Sequence, residues 1–344
     1  MMLIRPIKRQ DKQALLQLAT ITGTGFTSLP DSESHLEERV ERMIATWEGQ
    51  APLSEQGYLF VLEESATQKV VGISGIEVAI GLKEPWYDFH VGTQVHASKE
   101  LGIYRQMKKL SLSNDHTGHS ELCTLFLDPQ YRKNKNGQLL SKSRLLFIAA
   151  FKEKFSERII AEMRGVSDAQ GESPFWESLG RHFFAIDFTE ADYLTGIGQK
   201  AFIAELMPKH AFYVDFLSEA AQKVIAEVHP STLPARKILE SEGMRYEGYV
   251  DIFDAGPTLE AYTKDLRVVR KSQLLPVKVC ATALLGEQIL LIGNDKYQEF
   301  RAIIGSPKID NSAIYLTQAQ AQALSVIDGE QLRIVPLFEK ENSL

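Results

Sequence analysis

Hydrophobic positions recur along this chain with two spacings, and the switch between them outlines the elements. Leu3–Arg5 predicts a short strand closed by Pro6, and Leu15, Leu16 and Leu18 predict a helix over about residues 11–19. Gly23–Pro30 reads as a loop. Leu36, Val40, Met43, Ile44 and Trp47 fall on one face of a second helix, capped by Asp31 or Ser32. Tyr58–Leu62 and Val70–Ala79 predict two strands joined across the polar turn Glu64–Lys69. Residues 80–118 fit neither period and read as an inserted excursion.

The pattern is clearest in the middle of the chain. Leu122–Leu127 is apolar on both faces, as a strand covered on both sides of a sheet must be. Asp128-Pro129 ends it, and the polar turn Tyr131–Gly137 follows. From Gly137 the stripe Leu139, Leu140, Ser143, Leu146, Phe147, Ala150 and Phe151 predicts a helix to about Phe155, and Ile159–Met163 predicts the next strand. Together they form one β-α-β unit with its turn at the C-terminal edge of a sheet. Two later segments echo each other: Glu177–Gly180 before an aromatic strand at Phe183-Phe184, and Glu240–Gly243 before Tyr246. Each predicts a helix stopped by glycine and followed by a strand, a hint of a degenerate second half. After Arg267, short runs at Val277–Ala281, Gln288–Ile292, Phe300–Ile304 and Leu332–Pro336 predict a small β-rich appendage with one helix near Gln318–Leu324.

Composition narrows the function classes. With 344 residues, 44% of them hydrophobic and 24% charged, the chain has the make-up of a globular protein with a large core. Its net charge of -7 argues against duplex nucleic acid or an anionic membrane as the partner, because both reward a basic face. The two cysteines, Cys123 and Cys280, form no C-x-x-C, which suits a reducing compartment and rules out a disulfide framework or a cysteine zinc site. Met1–Pro6 lacks the make-up of a signal peptide, and no apolar run approaches ~18 residues. The expectation is therefore cytoplasmic, with no membrane span. No H-E-x-x-H or acidic cluster at ligand spacing occurs, so no metal is expected.

The chemistry concentrates at Arg132-Lys133-Asn134-Lys135-Asn136-Gly137. A helix N-terminus exposes unpaired N–H groups, and Arg132, Lys133 and Lys135 add cations at the same point, a setting for phosphate. An ordinary solvated basic turn is the competing reading. Neither a P-loop nor a dinucleotide fingerprint is present. The turn resembles the pyrophosphate loop of the GNAT acyl-CoA N-acyltransferases, R/Q-x-x-G-x-G/A, except that Lys135 stands where the first glycine is expected.

Longer blocks narrow the resemblance. Phe26–Pro30, Ser113–Gly118, Glu121–Pro129, Ala161–Val166, Gly198–His210 and Asp251–Leu259 resemble the arginine N-succinyltransferase family over roughly residues 1–270; the tail matches less closely. The resemblance implies an α/β (α+β) fold, a GNAT-like mixed central sheet flanked by helices. It further implies an acyl-CoA-binding domain at 1–200, a second half completing the cleft at 201–266, and the β-rich domain at 267–344. The implied reaction moves succinyl from succinyl-CoA to the α-amine of L-arginine, opening arginine catabolism. Leu125 and Leu127 match the strand whose backbone holds the pantetheine, although buried leucines are usually plain core. Arg132, Lys133, Asn136 and Gly137 would hold the pyrophosphate.

His229 matches the family's proton donor. To act as an acid near neutrality it would need a carboxylate to raise its pKa, and Glu227 is the nearest in sequence. His116 beside Asp115 is the runner-up histidine. Asp115, His116 and Asp254 are candidates for substrate binding, with Asp251 and Glu260 as further carboxylates and Arg164 or Lys142 as cations for the succinyl group. The partners implied are the two small substrates and a second copy or a homologous subunit. Two alternatives stay open: a non-catalytic module sensing arginine or CoA, and an acyltransferase acting on another amine such as ornithine.

Overall fold

A computed structural model describes residues 1–22, 29, 32–168, 170–196 and 201–339. The expected loop at 23–30 therefore lies outside the described residues except for Leu29, as does part of the block at 198–210. The first strands and helices are β1 (Met2–Pro6), α1 (Lys12–Thr22), α2 (Glu33–Trp47), β2 (Gly57–Glu64) and β3 (Lys69–Glu77). The inserted excursion is a hairpin of two eleven-residue strands, β4 (Asp88–Ser98) and β5 (Ile103–Ser113). Next come β6 (Ser120–Leu127), α3 (Asn136–Ala150) and β7 (Arg158–Glu162). The helices α4 (Pro174–Ser178), α5 (Gly180–Phe184), α6 (Phe188–Gly196) and α7 (Ala201–Leu206) lead to β8 (Phe212–Tyr213), α8 (Glu219–Val224) and α9 (Leu233–Ser241). The chain then forms β9 (Arg245–Asp251), β10 (Pro257–Tyr262) and α10 (Arg267–Lys271). Last come β11 (Gln273–Cys280), β12 (Leu285–Gly293), β13 (Ala302–Pro307), β14 (Ile314–Thr317), α11 (Gln318–Ala323) and β15 (Gln331–Pro336).

The described strands join in the order β14-β11-β15-β12-β13-β1-β2-β3-β6-β7-β10-β9-β4-β5-β8. The central run β1-β2-β3-β6 is antiparallel, and β6 lies parallel to β7. One face is covered by α1 and α2, whose Leu15, Leu36, Val40 and Met43 pack on Leu59, Val61, Ile73 and Phe126. The other face is covered by α3, whose Leu139, Leu140, Leu146 and Phe147 meet Ile4, Tyr58, Phe60 and Leu127. β6 is thus covered on both sides, which explains its doubly apolar sequence.

Two expectations change. Phe183-Phe184 are helical, because Trp176 stacks on Phe184 with ring centroids 5.2 Å apart and Gly180 lets that indole close on the backbone. The proposed echo with Glu240–Gly243 is therefore absent from the structure. The long helix ends at Ala150, short of Phe155; Phe151 and Phe155 complete an aromatic cluster with Tyr58, Phe147 and Tyr297.

The β-rich tail continues the main sheet through the pairing of β13 with β1 at Ala302 and Ile4. Leu291, Phe300, Val335 and Leu337 enter the same core as α3. A buried ion cluster ties it further: Glu242 takes Lys142 at 2.8 Å and Arg267 at 2.7 Å, while Lys142 and Arg267 also donate to the carbonyls of Leu337 and Pro336.

Candidate active site

Strands β6 and β7 pair only at Ser120 with Ile159 and Glu121 with Ile160, and then part. On the opposite edge the register with β3 shifts at Thr124, whose φ is 52°. A β-branched residue in the left-handed region costs ~1–3 kcal/mol, so neighbours must hold it. Arg39 of α2 donates to the Thr124 hydroxyl at 2.6 Å, and the buried Arg144 of α3 donates to the Cys123 carbonyl at 3.1 Å. The parting strands open a cleft of about 1120 Å³. Cys123–Phe126 line one side of it; Glu162, Met163 and Arg164 leave the end of β7 on the other, beside the turn Asp251–Asp254.

Near the C-terminal end of β6 the chain enters α3 through the basic turn. Arg132 Nε donates to the Leu127 carbonyl at 3.1 Å, and Asn136 Nδ2 to the Tyr131 carbonyl at 3.0 Å, which shape the turn from within. Asn134 and Lys135 have φ of 50° and 64°, so Lys135 adopts the left-handed conformation for which the family pattern uses glycine. The amide N–H groups of Gly137 and Gln138 find no acceptor among the described residues. A Cβ added at Gly137 would meet nothing within 4 Å, so open space lies over that helix start. Of the six residues expected to hold the acyl-CoA, Leu125 and Arg132 line the cleft itself, while Leu127 is a core residue. Leu125 also packs its side chain against the α3 side of the core.

His229 stands in the segment between α8 and α9 and is pinned to the end of β7: its N–H donates to the Arg164 carbonyl at 3.0 Å. The Ser231 N–H donates to His229 Nδ1 at 3.2 Å, and Ser231 Oγ lies 2.7 Å from the same nitrogen, leaving Nε2 as the atom able to exchange a proton. Ser231 and Thr232 line the cleft. The expected upward shift by Glu227 is not found. Burial and the nearby Arg164 charge both hold the imidazole below its ordinary value, so it is mainly neutral at neutral pH.

The wall opposite β6 is acidic. Burial, and then the carboxylates of Asp251, Asp88, Glu121 and Asp254, push Glu162 well above the usual carboxylate range. Burial and Asp251 do the same to Asp254. Asp254 is also a fastener: its carboxylate accepts the N–H of Gly165 at 2.7 Å and of Gly256 at 2.8 Å. Glu162 makes no side-chain hydrogen bond or ion pair among the described residues. In the sequence it falls within the block Ala161–Val166, where its one chemical signal is an acid closing an otherwise apolar strand.

Asp115 and His116 are not brought to this cleft. Asp115 is exposed and accepts the Tyr249 hydroxyl at 2.7 Å. His116 is 1% exposed and pairs with Asp88, 2.6 Å from Nδ1, rather than with its sequence neighbour. Glu260 Oε1 lies 3.2 Å from Nε2, close enough for an ion pair but not aligned as a hydrogen bond. Burial alone would lower the His116 pKa, but these two carboxylates push it up to about 9, so it is a buried cation behind the acidic wall. Cys123, although it lines the cleft, has its thiol pushed up to about 12 by burial and by Glu121 and Glu77, so it is no nucleophile at neutral pH.

Residues 2–268 match the family model described as arginine N-succinyltransferase beta subunit. A protein of Yersinia enterocolitica called arginine N-succinyltransferase is 57% identical over 99% of both chains. One of the same name from Escherichia coli is 54% identical over 100% of both chains. The solved structure of arginine/ornithine succinyltransferase subunit AI from Pseudomonas aeruginosa superposes with a TM-score of 0.90 at 34% identity, covering 98% of this chain and 99% of that one.

Proposed function

Because the chain belongs to the arginine N-succinyltransferase family, we propose that it transfers succinyl from succinyl-CoA to the α-amine of L-arginine by direct attack, in arginine catabolism in the cytoplasm. The observation that carries this reading is the parting of β6 from β7 beside His229, with the open helix start of α3 nearby.

In this reading succinyl-CoA lies along β6, its pyrophosphate over the N–H groups of Gly137 and Gln138 with Arg132, Lys133 and Asn136 around it. The backbone of Leu125 and Leu127 pairs with the pantetheine, and a strand N–H polarises the thioester carbonyl. Arginine enters from the acidic wall, where Glu162 and Asp251 attract its cationic groups. The neutral amine attacks the thioester carbon, the C–N bond forms and the C–S bond breaks. His229 takes the amine proton on Nε2 and delivers it to the departing thiolate, so an imidazole that starts neutral still ends as the proton donor. The high pKa of the Cys123 thiol supports direct attack over an acyl-enzyme. Residues 1–200 would hold the acyl-CoA and 201–266 complete the cleft, with 267–344 bracing the sheet.

The Pseudomonas protein is named for ornithine beside arginine, and its chain is called a subunit. That naming supports ornithine as a second acceptor here, and pairing with a second copy or a homologous subunit. A thiol-release assay with succinyl-CoA or acetyl-CoA against arginine, ornithine and lysine tests the reading. It expects the fastest turnover with succinyl-CoA and arginine; binding of both without thiol release would favour a sensing module instead.

A further inference from the structure

We propose that Arg164 is the carboxylate-binding residue of the cleft, receiving either the free carboxylate of the acyl donor or the α-carboxylate of the amino-acid acceptor. This rests on the acyl-transfer reading above and adds the residue that would select charged substrates.

Arg164 leaves the end of β7 into the cleft. Its guanidinium donates to Ser167 Oγ at 3.0 Å, its Nε is buried with no acceptor, and no carboxylate oxygen of the described residues comes within 4 Å. That isolation is notable because Glu162, Asp251 and Asp254 line the same cleft. Of the other cations there, Arg132 belongs to the turn assigned to the pyrophosphate, and Arg39 holds the Thr124 hydroxyl at 2.6 Å and lies 3.7 Å from Glu77. Arg42 binds both oxygens of Glu77 at 2.8 and 2.7 Å, Lys83 binds Glu55 at 2.7 Å, and Arg144 is spent on carbonyls and Ser141. Lys142, the sequence alternative, is locked by Glu242 and the Leu337 carbonyl. A planar fork with an unpaired buried donor is matched by a carboxylate that accepts two parallel N–H bonds.

The segment behind Arg164 is fixed. Asp254 grips the Gly165 N–H, and a Cβ at Gly165 would lie 2.5 Å from the Asp254 carbonyl, so only glycine fits. The Arg164 carbonyl accepts the His229 N–H, so a carboxylate on its guanidinium would lie near the proton-transferring imidazole. Binding that carboxylate would also neutralise the charge that, together with the larger effect of burial, holds His229 low, readying it to keep a proton until the thiolate leaves.

The test compares wild type, Arg164→Gln and Arg164→Lys with two substrate pairs. Succinyl-CoA is set against butyryl-CoA, which has the same chain length without the carboxylate. L-Arginine is set against agmatine, which lacks the α-carboxylate. Charged hydrogen bonds of this kind correspond to ~10–150-fold in KM. R164Q is expected to raise KM by that factor for the carboxylate-bearing member of one pair while its uncharged counterpart changes little. R164K, which keeps the charge but not the fork, is expected to lie between. The pair that responds identifies the donor or the acceptor as the source. R164Q should also shift the acid limb of the pH–rate profile upward, because it removes the cation facing His229, whereas the selective change in KM is what a merely structural role would not produce. If R164Q does not fold, R164K alone must still show a selective rise. Ratios unchanged in a folded variant, against an active wild type, overturn the inference alone. A wild type that turns over no succinyl-CoA overturns the functional reading itself.

Discussion

A histidine and an arginine joined through one backbone hydrogen bond set the proposed chemistry. With its pKa held below the ordinary ~6.5, His229 is ready to accept a proton at neutral pH. The acid limb of kcat/KM should therefore fall below that value, and His229→Ala should remove it. The same substitution should lower kcat ~10²–10⁴-fold with KM values near wild type. Turnover within a few-fold of wild type would assign the proton to another group. Glu162 leads to a second prediction. Its carboxyl is raised by burial and by four neighbouring acids, so a guanidinium or ammonium placed among them must pull protons off. Calorimetry of arginine binding in buffers of different ionisation enthalpy should report proton release near neutral pH, reduced in Glu162→Gln. Equal enthalpies in every buffer would put the cation elsewhere. Neither group could be placed fully from sequence. His229 has Glu227 and Pro230 near it in the chain, yet after burial the charge that shifts it is Arg164, just past the end of β7. His116 likewise ignores adjacent Asp115 for Asp88 and Glu260, brought together only by the sheet.

Elements read best where local pattern and burial agree. β6 and α3 were legible because one is apolar on both faces and the other carries a 3.6-residue stripe, and each is buried as that pattern requires. The parting of β6 from β7 was not legible from pattern, since it depends on a bulge at Thr124 that Arg39 and Arg144 hold from two different helices. The segment at Phe183-Phe184 failed for the opposite reason: aromatic residues favour strands on average, but stacking with Trp176 decides here. Of the turn, the sequence signalled the cations and, through the glycine expected at Lys135, one left-handed position, but not the second at Asn134. Its role can be tested by Gly137→Val, whose branched side chain would fill the open space over the helix start. The apparent succinyl-CoA constant should rise at least tenfold while that for arginine stays within a few-fold, because only the phosphate site is crowded. An unchanged CoA affinity would move the pyrophosphate off this helix.

The whole molecule is braced by buried charge as well as by its core. His116 titrates at about 9 in the fold against ~6.5 unfolded. The stabilisation is therefore fully present below pH ~6.5 and is lost as pH rises through about 9, on the order of 3 kcal/mol in all. Denaturant unfolding of wild type should weaken over that range, and His116→Gln should flatten the trend; parallel curves would assign the pH dependence to other groups. Because β13 extends the main sheet and Glu242 joins α3, α10 and the last strand, truncation after Arg267 should abolish cooperative unfolding rather than yield a trimmed enzyme. Direct transfer to the α-amine leaves its record in the product itself. Incubation with succinyl-CoA and L-arginine, followed by NMR of the product, should show one succinyl amide on the α-nitrogen, with free CoA released in equal amount and only when arginine is present. CoA release without arginine, or succinyl on the guanidinium, would contradict that transfer.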